Sequence, residues 1–214
     1  MQKLKYLSYL SFQIITLSSF ANDPIIVSAN RVQTPYSQVS SSVIKISSKQ
    51  IEDSNTNEIA DLLRSVAGLN VSQTGSNGGT TNIFTRGSES NHTLVIIDGI
   101  EMNDPSNPNR AFNFAHLSLN SIESIEVLMG PQSALYGSNA IGGVINITTK
   151  PGSDSLNIRS GLSYGSFKTK EAKLSATHKI SKIKYSINTD YLESDGFSSA
   201  SVENGDDDKR KRIN

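Results

Sequence analysis

The residues that could do chemistry are sparse in this chain. Its three histidines, His92, His116 and His178, lie far apart and share no ligand spacing. There is no cysteine, which excludes thiol catalysis, disulfide scaffolds and cysteine-based zinc sites. The motifs G-x-S-x-G, G-x-x-x-x-G-K-[ST] and H-E-x-x-H are all missing. The glycine-rich stretch at 75–79 does not stand between a strand and a helix, so it makes a poor phosphate cradle. One concentration of hard ligands remains, at Asp195, Glu203, Asp206, Asp207 and Asp208. Clustered carboxylates suit Ca2+, which takes about six to eight oxygens. The competing reading is a solvated acidic loop, with the basic run 209–212 directly behind it. No constellation here supports an enzyme.

Composition narrows the class further. The 20 Lys+Arg and 20 Asp+Glu cancel, so bulk nucleic-acid binding is not expected. Charged residues are 19% of the chain, below the roughly 25% of ordinary globular domains. After residue 20, no run approaches about 18 consecutive apolar positions, which argues against a helical membrane protein. Serine (35) and asparagine (19) are so frequent that the three glycosylation patterns at Asn70, Asn91 and Asn146 are expected by chance.

The elements that must carry any function divide into three stretches. Lys3 and Lys5 precede a mostly apolar run, and Ser19 and Ala21 supply small residues at a cleavage site. This is a secretory signal over residues 1–21, with export from the cytoplasm; the alternative is a short buried helix. From Asn22 to about Lys150 the pattern is mixed. Ile59, Leu62, Leu63 and Val66 mark an amphipathic helix that Gly68 ends. A shorter helical turn is expected at Lys49–Asp53. Strands are expected at Ser42–Ser47, Leu69–Val71, Asn82–Arg86, Thr93–Ile97, Ile122–Leu128 and Val144–Thr148, with Asp98-Gly99 as a tight hairpin turn. This reads as an α+β domain, a small mixed sheet with short helices.

From Ser155 the period becomes two. Leu156, Ile158, Leu162 and Tyr164 share a face, as do Ala172, Leu174, Ala176 and Ile180, then Ile183, Tyr185, Ile187 and Tyr191. The opposite faces carry Arg159, Ser163, Lys173, Ser175, Ser186, Asn188 and Asp190. Runs of about 9–11 residues span a bilayer as tilted antiparallel strands of a transmembrane β-barrel. A half-buried soluble sheet shows the same alternation.

Four short motifs occur in order: Ile83-Phe84-Thr85-Arg86-Gly87; Leu94 to Asp98-Gly99; Ile125 to Gly130-Pro131; and Ala134-Leu135-Tyr136-Gly137 running on to Ile141-Gly142-Gly143-Val144-Ile145-Asn146. Together they resemble the plug domain of TonB-dependent outer-membrane transporters, most closely the members that take up cobalamin. The resemblance implies a plug filling a barrel of about 22 strands. Gly87, Gly99, Gly130, Gly137, Gly142 and Gly143 would give it tight turns and close approach to the wall. Arg86 would pair with acids on that wall. Asp23, Pro24, Ile25, Ile26, Val27, Ser28 and Ala29 occupy the place of the TonB box, which adds a strand to the periplasmic partner TonB. The ligand implied is cobalamin or an iron chelate. Ser88, Glu89, Ser90 and Asn91, with Asn103, Asp104 and Asn107 in the 103–113 segment, are the expected contacts. The resemblance also places calcium-binding aspartates in an outer loop, here Asp195, Asp206, Asp207 and Asp208. One departure is Met129, where many relatives carry arginine before Gly-Pro.

These readings divide the chain into a signal (1–21), a TonB-box segment (22–32), a plug (33–152) and the first strands of an incomplete barrel in outer-membrane lipid (153–214). A wall of about 22 strands needs about 220 residues, whereas 64 follow Lys150. The expectation is therefore the N-terminal part of a transporter. The box begins one residue after the expected cleavage site, so no additional signalling domain is expected between signal and box. The alternative is a stand-alone secreted plug-like binding module without transport.

Overall fold

The structure is a computed structural model that describes residues 25–26, 34–35, 37, 42–54, 56, 58–75, 78–195 and 212–213. The signal segment 1–21 lies outside the described residues. Two short strands come first, β1 (Ile25–Ile26) and β2 (Thr34–Pro35), paired antiparallel. Strand β3 (Ser42–Ser47) runs straight into α1 (Ser48–Asp53). Ser47 caps that helix: its Oγ accepts from the Gln50 N–H, and the Gln50 carboxamide accepts from the Ser47 N–H at 2.9 Å. This reciprocal box satisfies two N–H groups that a helix start leaves orphaned. Helix α2 (Ile59–Arg64) buries Ile59, Ala60, Leu62 and Leu63, the face that its 3–4 spacing demands.

Strands β4 (Leu69–Gln73) and β5 (Thr81–Thr85) form a hairpin of their own. The main sheet holds β6 (Thr93–Ile97), β7 (Ile100–Glu101), β8 (Ile122–Met129) and β9 (Gly143–Thr149), in the order β3-β8-β9-β6-β7. Only β6 and β9 run parallel, so the sheet is mixed as expected. The β4–β5 hairpin packs on the sheet rather than joining it, with Ile83 buried in the shared core. Gly68 and Arg86, at φ +86 and 49, turn the chain at its open end, where the Arg86 N–H donates to the Gly68 carbonyl at 2.8 Å.

The two faces of the sheet have separate jobs. Ile46, Ile125, Val127, Ile145, Ile147 and Val95 pack against α1, α2 and the hairpin. The other face carries the row Val43–Leu128–Val144–Leu94, covered by Ala140 and Tyr136 from the segment holding α3 (Ser133–Tyr136). Beside it runs Lys45–Glu126–Asn146, with Glu126 buried, 3.5 Å from the Lys45 ammonium. A buried pair of this kind adds little net stability, but removing one partner strands a charge.

Strands β10 (Asn157–Tyr164), β11 (Lys170–Ile180), β12 (Ile183–Ser194) and β13 (Arg212–Ile213) make a separate antiparallel meander. Their register lines Ile158 up with Ala176 and Ile187, and Leu162 with Ala172 and Tyr191. This apolar face is uncovered: Leu162 is 89% exposed and Ile183 72%. Such a face in water is a liability; against lipid it is the requirement. No helix among the described residues is long and apolar enough to cross a membrane.

Candidate functional site

The inward face of the meander is polar and meets the domain that precedes it. Register places Gly161, Lys173 and Asp190 in one row, then Arg159, Ser175 and Asn188 in the next. Several of these side chains bond within the wall. Lys173 lies 2.6 Å from Glu171, and the Ser175 hydroxyl donates to Asn188 at 2.7 Å. Others reach across. Glu52, in the last turn of α1, accepts from Arg159 at 2.9 Å and lies 3.5 Å from the Lys150 ammonium. Asn120 donates to Asp190 at 2.7 Å, and Lys179 to Asp154 at 2.8 Å. Burial raises the Glu52 carboxyl, but the Arg159 hydrogen bond and the charges of Lys150 and Arg159 outweigh it, leaving the group below its ordinary value.

Two half-open cavities, of about 220 and 240 Å³, run along this seam and share Lys150, Arg159 and Ser175 as lining. At one end Gly152 is buried against the strands. A Cβ there would lie 2.5 Å from the Tyr185 nitrogen and 2.6 Å from the His178 carbonyl. Only a glycine lets the connecting segment lie this flat on the wall.

One hydrogen bond ties together the two loop segments expected to meet a ligand. Asn109, in the 103–113 segment, donates to the Ser90 hydroxyl at 3.1 Å. Asn103 brackets the segment: its carboxamide accepts from the Val95 N–H and donates to the Thr93 and Arg110 carbonyls. Asp104 accepts from the Ser106 hydroxyl and N–H, which hold its carboxyl below the usual value. Asn107 accepts from the Asn109 N–H, and both lie exposed. Glu89 is exposed, and the buried Asn91 Oδ1 has no hydrogen-bond partner among the described residues.

The motif residues are structural in detail. Asp98 holds the end of β9, accepting from the Thr149 N–H at 2.9 Å and its hydroxyl at 2.6 Å. Gly99 completes the β6–β7 turn at φ +86. Thr85, Thr93 and Ser88 join hydroxyls beneath the Arg86-Gly87 turn, and Gly142 backs onto them. Gly130 donates its N–H to the Gly142 carbonyl, Pro131 is exposed, and Gly137 ends α3. Met129 is buried in the core, its sulfur packed under Gly68.

Arg86 is exposed and makes no ion pair among the described residues. The groups that do touch the wall are Glu52 and Asn120 on the plug and Asp154 in the connecting segment, and sequence reasoning did not single them out. Ile25 and Ile26 lie in β1 with one edge taken by β2; Asp23, Pro24, Val27, Ser28 and Ala29 lie outside the described residues. Asp195 pairs with Lys168 at 3.0 Å, and Asp206, Asp207 and Asp208 lie outside the described residues.

A compact α+β body docked through polar groups on strands that are apolar only outside defines a pore plug resting on a membrane-barrel wall. The family model for the TonB-dependent Receptor Plug Domain matches residues 35–144, and the chain belongs to that family. It is 38% identical over 156 residues, 73% of its length, to the vitamin B12 transporter BtuB of Vibrio vulnificus (strain CMCP6), and 36% identical over 159 residues to that of strain YJ016. The chain spans about a quarter of the length of both relatives. The pyoverdine outer membrane receptor FpvA of Pseudomonas aeruginosa PAO1 shares its fold, with TM-score 0.68 at 21% identity over 84% of this chain and 26% of that one. The siderophore receptor PiuA of Acinetobacter baumannii does so with TM-score 0.60 at 25% identity over 75% of this chain and 22% of that one. These relatives are transporters and receptors, not enzymes.

Proposed function

We propose that this chain supplies the plug and first wall strands of an outer-membrane transporter for energised uptake of a scarce, large nutrient, with cobalamin as the favoured ligand. The observation carrying this reading is the pairing of a plug-family body with an uncovered apolar strand face, both within one chain. Identity of 36–38% to vitamin B12 transporters favours cobalamin over an iron chelate, since the similarity to siderophore receptors is one of fold. Export follows from the signal at residues 1–21. Energy enters when residues 23–29 add a strand to TonB; the edge of β1 that pairs with nothing among the described residues, or displacement of β2, would accept it.

The mechanism follows from the seam. A plug held by ion pairs and amide contacts can exchange each of them for water when pulled, whereas an apolar seam would resist hydration. The cavities already present along the seam lower the cost of admitting that water. The loops carrying Ser90 and Asn109 are tied by a hydrogen bond, and the exposed Glu89, Asn107 and Asn109 on them would offer polar groups to a ligand. Calcium at Asp195 with Asp206, Asp207 and Asp208 belongs to the same proposal; Lys168 occupies Asp195 and must give way to the ion.

The test is a chimera. Residues 22–214 replace the matching quarter of the V. vulnificus vitamin B12 transporter, and labelled cobalamin uptake is measured with and without TonB. TonB-dependent uptake supports the reading. A chimera that reaches the outer membrane, binds no cobalamin and takes up a ferric siderophore overturns the ligand; one that moves neither overturns transport.

A further inference from the structure

The wall strands contact the plug and the connecting segment through a small set of polar groups, most of them far apart in sequence. Glu52 holds Arg159 and Lys150, Asn120 holds Asp190, and Asp154 holds Lys179. Gly152 lies flat against the backbone of β11 and β12. The segment joining plug to wall is short, running from Lys150 to Leu156. None of these contacts needs any strand beyond β12. Yet the three strands have little of their own to hold them: their outer face is uncovered and their inner face is polar. A sheet of this kind, without a packed apolar face, is marginal in isolation.

We infer that the plug flank formed by α1, the turn at Leu119–Ser121 and the 150–154 segment is a docking platform that orders the first three wall strands, with Glu52 as its hub. The plug's main core is built from plug residues alone, Ile46 through Ile147, with no wall side chain in it. It can therefore be rigid while the strands are still settling. Glu52 suits the hub because one carboxylate joins the strand cation Arg159 to the linker cation Lys150, fixing both the start of β10 and the direction of approach. Asn120 and Asp190 then set the third strand. Glu52 and Asn120 are thus positioning residues. This inference rests on reading β10–β12 as wall.

The test uses the full chain in detergent micelles and follows amide hydrogen exchange by mass spectrometry. Glu52→Arg should speed exchange across β10–β12 on the order of threefold to fivefold, the equivalent of an exposed ion pair, while β8 and β9 stay protected. Adding Arg159→Glu to Glu52→Arg should restore part of the protection, which a purely structural defect would not do. Asn120→Ala should loosen β12 most. Because the chain lacks cysteine, Asn120→Cys with Asp190→Cys gives a clean second readout with a short bifunctional thiol reagent. Efficient cross-linking is expected. Unchanged exchange in both Glu52→Arg and Asn120→Ala, or failure of the pair to cross-link, would overturn the inference. Neither readout uses cobalamin or TonB, so failure here leaves the transport reading standing, and failure of the chimera leaves this one standing.

Discussion

Gly143 offers the sharpest test of the packing described here. It opens β9, between Met129 of β8 and Thr93 of β6. A Cβ built there would lie 2.5 Å from the Leu128 carbonyl oxygen and 3.5 Å from the Thr85 methyl. The near atom is backbone, so no side-chain rotation relieves the clash. Ordinary contact begins at 3.4 Å, so Gly143→Ala must part β8 and β9 locally by about 0.9 Å in an interior packed to crystal density. Overpacking costs about 1–3 kcal/mol, and a weakened ladder hydrogen bond adds about 1. The expected loss is about 2–4 kcal/mol, a large share of the roughly 5–15 that holds a domain together. For a plug of this size that lowers the melting temperature by roughly 10–20 °C. Circular dichroism of the full chain in detergent reads it, with Gly161→Ala as control. Gly161 lies in a strand, and its Cβ would meet nothing nearer than the Lys173 Cβ at 4.0 Å, so that change should stay within about 0.5 kcal/mol. If Gly143→Ala melts with the parent, the β8–β9 register at this point is wrong.

Other expectations follow from single groups. Burial raises the Glu58 carboxyl, the nearby Asp61 adds to this, and the Gln73 amide and Arg64 oppose it without prevailing. Its folded value therefore lies above the unfolded 4.5: folding favours the protonated acid, and that benefit is lost as pH rises through the folded value. Glu58→Gln should therefore stabilise the plug at pH 7 and give no gain at pH 4; thermal melts showing an equal gain at both would refute the burial argument. In the chimera, Val27→Pro should abolish energised uptake and leave cobalamin binding intact, because proline removes a strand donor; full uptake would sink the TonB-box assignment. Calcium should slow amide exchange around Asp195 and in residues 203–208, and a titration without such protection would discard the metal.

The parts of this fold legible from sequence are those whose cause is local. The 3–4 spacing of Ile59, Leu62 and Leu63 marks α2, though the helix stops at Arg64, short of Val66 and Gly68, and Asp98-Gly99 marks the β6–β7 turn, because helix faces and left-handed turns are written within a few residues. The alternation after Ser155 separated the two faces of β10–β12 correctly, and the register then joined those faces across strands. What stayed hidden depends on partners far along the chain. Nothing near Thr93 signals that β6 pairs in parallel with β9 fifty residues later. The hairpin β4–β5 has the pattern of sheet strands but leaves the sheet at Gly68 and Arg86. The seam is the clearest case. Asp190 could be read as inward-facing, yet its partner Asn120 precedes it by 70 residues, in a turn with no pattern to flag it. Glu52 looks like any solvated helix carboxylate, because a carboxylate facing water and one facing a barrel lumen obey the same amphipathic rule. Arg86, by contrast, stood out through its motif, and its fixed role among the described residues is backbone: a residue at φ 49 whose N–H closes the hairpin on Gly68. Sequence pattern thus separates buried from exposed. It does not tell which exposed polar groups will meet another polar surface.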